Sequence, residues 1–189
     1  MGKHMITSMT TETLITADDL LRMSIPDKQI ELLRGVLVVR EPRGMEHGLV
    51  SGRLFRRLDE FVERHALGVV LPQDTGFKIA VDPDTVRAPD VAFVSAERTP
   101  REVTGGYPEL APDLVAEVVS PGDRPGDVLA KVGEWLVVGT RLVWVVDLRA
   151  RQVQVYRADG KLSLLGPADA LDGEDVLPGF SCPLEELWA

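Results

Sequence analysis

The spacing of apolar positions along the chain changes several times, and each change marks a predicted element. Thr16 followed by Ala17-Asp18-Asp19 is a helix start: the hydroxyl caps free N–H groups and the acids suit the positive end of the dipole, so a short helix to about Met23 is predicted. Residues 29–33 and 36–40 are apolar runs separated by Arg34-Gly35, the pattern of a β-hairpin. Over 45–66, Leu49, Leu54, Leu58, Phe61 and Val62 recur near helical spacing while Arg53, Arg57, Glu60 and Arg64 take other faces, which predicts a long amphipathic helix. Beyond Gly68 the texture turns to short β-rich runs at 69–71, 77–81 and 91–94, punctuated by Asp82-Pro83-Asp84.

A strand over 114–119, a helix over 126–138 and a strand over 142–147 then make a βαβ unit. Runs at 152–157 and 161–165 flank Ala158-Asp159-Gly160 as a second hairpin, so parallel and antiparallel pairs are both expected. The Pro- and Gly-rich segment 100–112 reads as an exposed loop. The predicted fold is α/β, a mixed β-sheet flanked by helices.

Composition narrows the picture. A chain of 189 residues fits one domain, and at that size roughly 70% of the unfolded surface can be buried. Met1 to Met5 (MGKHM) reads as an expression remnant, which leaves His4 out of site reasoning; residues 1–15 are assigned to this remnant and a tail, and 16–189 to a single domain. No apolar stretch approaches the ~20 residues that span a bilayer, and no basic-then-apolar leader opens the chain, so no membrane partner is expected and the cytoplasm is the expected compartment. Cys182 is the only cysteine, so neither an intrachain disulfide nor a cysteine metal cluster can form, and a buried structural role is expected for it. The net charge of −9 opposes nonspecific binding to nucleic acid. Carboxylates that hold divalent cations change that sign locally, so the objection weakens for a metal-loaded site.

Three residues depart from their surroundings. Glu117 lies inside the apolar run Leu114-Val115-Ala116-Glu117-Val118-Val119, where a carboxylate is costly to bury unless paired, protonated or bound to a cation. Asp90 follows Pro89 at the entry to another β-run, where a turn or cap role is the plainer reading; together with Glu117, though, it could hold one or two hard cations, Mg²⁺ or Mn²⁺, through oxygen ligands. Lys131 is one of only five lysines, and its ammonium suits a reacting phosphate oxygen or an attacking water. The plainer reading is a surface pair with Asp127 or Glu134 on its own helix. No Gly-rich phosphate loop, zinc-type His or Cys spacing, or Gly-x-Ser-x-Gly elbow is present.

Taken in order, Glu31-Leu32-Leu33-Arg34-Gly35, His47, Arg87-Ala88-Pro89-Asp90-Val91-Ala92-Phe93-Val94, Pro112 to Pro121, Asp127, Lys131, Gly139, Trp144-Val145-Val146-Asp147 and Val176 to Phe180 resemble the Uma family of putative restriction endonucleases, a branch of the PD-(D/E)XK nuclease superfamily. The resemblance implies a restriction-endonuclease-like fold and a metal-dependent endonuclease that hydrolyses DNA, with Asp90 and Glu117 as metal ligands and Asp90, Glu117, Lys131 and His47 as catalytic residues. The superfamily usually places its lysine two residues after the second acid, where strand alternation aligns the two side chains. Val119 stands there in this chain, and the resemblance implies that Lys131 on the following helix supplies the ammonium instead. The chain departs from the family in Trp135, where tyrosine is frequent, and in Thr140. His47, Glu31, Ser120 and Asp127 match the family, and each also has a plainer structural reading. A single-domain nuclease that cuts both strands is expected to work as a homodimer. The alternative is a catalytically silent nuclease-fold module with a binding or regulatory role.

Overall fold

A computed structural model describes residues 14–102 and 105–188. The remnant and most of the tail assigned to residues 1–15 lie outside the described residues. Helix α1 (Ala17–Arg22) starts as expected, with Thr16 and Asp19 forming a capping box. Strands β1 (Gln29–Leu33) and β2 (Val36–Arg40) form the first hairpin. Helix α2 (Met45–His65) follows, then β3 (Gly68–Pro72), β4 (Phe77–Ala80), β5 (Thr85–Arg87) and β6 (Val91–Ser95). The βαβ unit is β7 (Leu114–Val119), α3 (Pro125–Val137) and β8 (Leu142–Asp147), with β7 and β8 parallel neighbours. Strands β9 (Gln152–Arg157) and β10 (Leu162–Leu165) are the second hairpin, and β11 (Ala170–Asp172), β12 (Ser181–Pro183) and α4 (Glu185–Trp188) close the chain.

The strands divide between two principal sheets rather than one. A six-stranded mixed sheet runs β10-β9-β8-β7-β6-β3, and a four-stranded antiparallel sheet runs β2-β1-β5-β4. Alternation along β7 assigns its side chains to opposite layers: Leu114, Ala116 and Val118 pack with Val50, Leu54, Leu58 and Val62 of α2, while Val115 packs with Val132 and Trp135 of α3. Glu117 shares the parity of Val115 and so faces α3. Ala111, expected in an exposed loop, is buried, so the segment before β7 dips into the protein at its end. Cys182 is buried as expected, and burial first, then Glu186 against the opposing Arg57, pushes its thiol up to about 11. Among the described residues no helix is long and apolar enough to cross a membrane.

Leu54 is fully buried where α2 meets the sheet. Leu54→Ala is expected to cost about 2–5 kcal/mol, the range for a large-to-small change in a close-packed core, read as a lower urea midpoint at unchanged slope.

Candidate active site

Two strand registers assemble the candidate site. In the large sheet, antiparallel pairing of Val91 with Ala116 sets Asp90, just before β6, opposite Glu117 of β7. An Asp90 oxygen accepts the Val118 N–H at 2.7 Å, which fixes the aspartate against the neighbouring strand. In the small sheet, pairing of Leu32 with Val86 sets Glu31 of β1 opposite Arg87 of β5. Residues Ala88 and Pro89 are the short link that carries the chain from β5 into β6, so Glu31 and Arg87 arrive beside Asp90 and Glu117.

Helix α3 closes the group from above. Lys131 and Trp135 are four residues apart, hence on one helical face, and both reach Glu117: Lys131 Nζ donates to Oε2 at 2.9 Å and Trp135 Nε1 to Oε1 at 2.9 Å. Lys131 also donates to the Ala88 carbonyl at 3.3 Å and lies 3.3 Å from Glu31 Oε1. Its surface pairing with Asp127 or Glu134 does not form; Glu134 accepts from Arg87 instead, at 2.8 Å from Nε. Glu31 is held by Arg87 at 3.1 Å, by Arg40 at 3.2 Å and by the Ala88 N–H at 2.9 Å.

His47, near the start of α2, is 1% exposed, with Nε2 3.3 Å from Asp90 Oδ2. That contact is close enough for charges to interact but not aligned as a hydrogen bond, and neither ring nitrogen has a hydrogen-bond partner among the described residues. A buried imidazole without a partner is uncommon. Here its nearest charged neighbour is Asp90.

The cations are shared unevenly among the three acids, and that divides their charge states. Burial pushes the Glu117 carboxyl up, Lys131 opposes it, and Asp90 and Glu31 add to the rise, giving about 7. Burial also works against ionised Glu31, but Lys131, Arg87, the Ala88 N–H and Arg40 outweigh it and hold that carboxyl at about 2. Burial alone would lower the Lys131 pKa, yet Glu117, Glu31 and Asp90 together raise it, so its ammonium stays charged. Near neutral pH, then, Glu117 shares its site with a proton that a better cation could displace.

The group opens onto solvent through a cavity of about 220 Å³ whose walls include Glu31, Arg40, Arg43, Asp90, Glu117 and Lys131. A second cavity of about 220 Å³ reaches Glu117 and Lys131 from the side of the β7–α3 loop. As many cationic as carboxylate side chains line the first cavity, so the net charge of −9 is carried elsewhere on the surface.

Over residues 17–185 the chain matches the family model Uma2, described as "Putative restriction endonuclease". It belongs to the Uma2 family. The Uma2 fold is similar to the crystal structure of a putative nuclease belonging to DUF820 from Anabaena variabilis ATCC 29413, with a TM-score of 0.78 at 20% identity, covering 92% of this chain and 97% of that one. No curated protein matches the chain.

Of the Uma2 residues singled out by sequence, Asp90, Glu117, Lys131 and His47 converge. Asp127 lines the second cavity, and among the described residues its side chain makes no hydrogen bond or ion pair with them. Ser120 lies in the β7–α3 loop, where its N–H donates to Asp123 at 2.8 Å. Sequence reasoning left Glu31 undecided and passed over Arg87. A carboxylate inside the apolar run of β1 was the available signal, since a buried acid needs a partner; Arg87, at the end of the three-residue β5, gave none. Trp135, noted only as a departure from the family, donates directly to Glu117.

Proposed function

We propose that this cleft hydrolyses phosphodiester bonds of DNA with a divalent cation, Mg²⁺ or Mn²⁺, held by Asp90 and Glu117. The observation that carries the reading is Glu117 itself: a buried carboxyl, set opposite Asp90 and bonded to Lys131. The donor set suits a hard cation, because Mg²⁺ is typically bound through one or two carboxylates and completes its shell with water and substrate oxygens. Among the described residues no group of three or more His, Cys, Asp or Glu side chains is placed to hold a metal ion, so water and substrate would have to supply the ligands beyond Asp90 and Glu117. When bound, the ion would stabilise charge developing on the phosphoryl oxygens and make water more acidic.

The chain's own residues do the rest. Lys131 also contacts Glu31 and the Ala88 carbonyl, contacts that would hold its ammonium if Glu117 served as a metal ligand; it orients the attacking water or a phosphate oxygen. Trp135 fixes the other Glu117 oxygen, and Val118 N–H fixes Asp90. His47, buried with Nε2 3.3 Å from Asp90 Oδ2, positions that carboxylate from behind.

The test is incubation of the purified chain with supercoiled plasmid DNA. Cleavage is expected with Mg²⁺ or Mn²⁺ and none with EDTA; DNA binding without divalent-ion binding at millimolar concentration supports the silent-module reading instead, which the hydrogen bonds already made by both Glu117 oxygens favour. A second expectation follows from the proton on Glu117. Below about pH 7 a cation must displace it, so Mn²⁺ affinity measured by calorimetry should fall about tenfold per pH unit between pH 7 and 5.5, with proton release in the same range.

A further inference from the structure

Two arginines at the cleft, Arg43 and, apart from its Nε bond to Glu31, Arg40, have donors that the reading above does not use. Arg43, in the loop between β2 and α2, donates from Nη1 to both Asp123 oxygens at 3.0 Å, and Asp123 is held in the β7–α3 loop by the Ser120 N–H. This pair joins the two loops, with Arg43 lining both cavities that reach Glu117 and Lys131 and Asp123 lining the second. Arg40, at the end of β2, spends only Nε on Glu31, at 3.2 Å. Among the described residues nothing accepts from Nε or Nη2 of Arg43, or from either terminal nitrogen of Arg40. Both side chains line both cavities, so two guanidinium forks with unspent donors flank a cleft containing a candidate phosphoryl-transfer group. A fork of this shape matches a phosphate as well as it matches a carboxylate.

We propose that Arg40 and Arg43 form a phosphate-binding subsite that grips a backbone phosphate of the nucleic-acid strand next to the one being cut, and that Asp123 occupies Arg43 until that phosphate replaces it. The subsite rests on the nuclease reading, since it supposes a polynucleotide in the cleft. Opposite effects are therefore expected from the two halves of one ion pair. Removing Arg43 deletes a phosphate contact; removing the Asp123 charge frees the arginine for substrate. An ion pair that only braces the loops gives losses of the same sign from both.

The experiment measures affinity of the full chain for a short DNA duplex over a salt series with Ca²⁺, alongside Mg²⁺-dependent cleavage of the same duplex. Arg43→Ala is expected to weaken binding roughly tenfold at about 50 mM salt and to reduce the slope of log affinity against log salt by about 0.9, the value for one lost phosphate contact. Arg43→Lys, which keeps the charge without the fork, is expected to lose about threefold and guards against a folding defect in the alanine variant. Asp123→Asn is expected to tighten binding several-fold, and that gain should vanish in the Arg43→Ala background. If the parent binds and cleaves while Arg43→Ala leaves the slope unchanged, or if the Asp123→Asn gain survives without Arg43, the subsite is wrong and the nuclease reading stands. If the parent neither binds nor cleaves the duplex, the nuclease reading fails and the subsite with it.

Discussion

Glu117→Gln is expected to reduce divalent-ion-dependent DNA cleavage by on the order of 10³-fold while leaving the fold at least as stable as the parent at pH 8. The two effects share a cause. Glutamine keeps an oxygen for the Trp135 or Lys131 donor and fills the same space, but it offers no anionic ligand. The stability sign follows from the shift: the Glu117 carboxyl is raised from the ordinary 4.5 to about 7, so the folded state favours its protonated form. The associated stability is present below about 4.5 and lost as pH rises through about 7. At pH 8 the parent therefore carries a poorly solvated charge that glutamine removes, and the variant should gain on the parent as pH climbs from 5 to 8. Glu31 behaves oppositely: held at about 2, it contributes stability above 4.5 that disappears as pH falls through about 2. Thermal melts of parent and variant at pH 5 and 8, with cleavage assays on the same preparations, check both halves. A variant that cleaves normally, or that melts lower than the parent at pH 8 with no difference at pH 5, contradicts the assignment.

Lys131→Met should be damaging on both counts. It removes the one cation that touches both Glu117 and Glu31, and leaves buried carboxylates facing each other. Removing one partner of a buried pair typically costs about 3–5 kcal/mol. The lower end is expected here, because Arg87 and Arg40 still hold Glu31 and because Glu117 can retain its proton. The loss should be larger at pH 8 than at pH 6, where protonated Glu117 needs no counter-charge. The raised Lys131 pKa implies that its contribution persists below 10.5 and is lost only above that, as pH passes the folded-state value. Cleavage should fall by about 10²-fold or more, the usual range for a lost charge-stabilising or proton-handling group. Lys131→Arg separates the roles: it restores charge and much of the stability, but a planar fork cannot reproduce a point ammonium. Urea unfolding at two pH values together with cleavage rates reads out both variants, and cleavage by Lys131→Met at the parent's rate would remove Lys131 from the chemistry.

Much of the scaffold was legible because its apolar periodicities are strong. The strands β7 and β8 fall where the alternation-free apolar runs put them, as a parallel pair buried on both faces should. What escaped was short or long-range. Strand β5 has only three residues, and β11 and β12 are equally brief, too short for any period to emerge. The division into two sheets depends on β1 pairing with β5 across more than fifty residues, which no local pattern encodes. That division decides the site. Glu31 and Arg87 meet only through that pairing, so Glu31 read in sequence as one charge among several plainer possibilities.

The acid pair was easier to anticipate, since a carboxylate inside an apolar strand declares its own cost. Lys131 was not decidable from spacing, because Asp127 and Glu134 offered it equally good helical partners. The fold resolves the choice by giving Glu134 to Arg87 and turning Lys131, with Trp135, toward Glu117. The buried, unpartnered His47 ring emerges only when the start of α2 is laid beside Asp90.

The central claim is that Asp90 and Glu117 jointly hold a divalent cation. Calorimetric titration of Mn²⁺ into the purified chain at pH 8 addresses it without DNA. Saturable binding by the parent, lost in both Asp90→Asn and Glu117→Gln while their folds persist, is the predicted result. Equal Mn²⁺ binding by parent and variants, or none by the parent at millimolar ion, would contradict it.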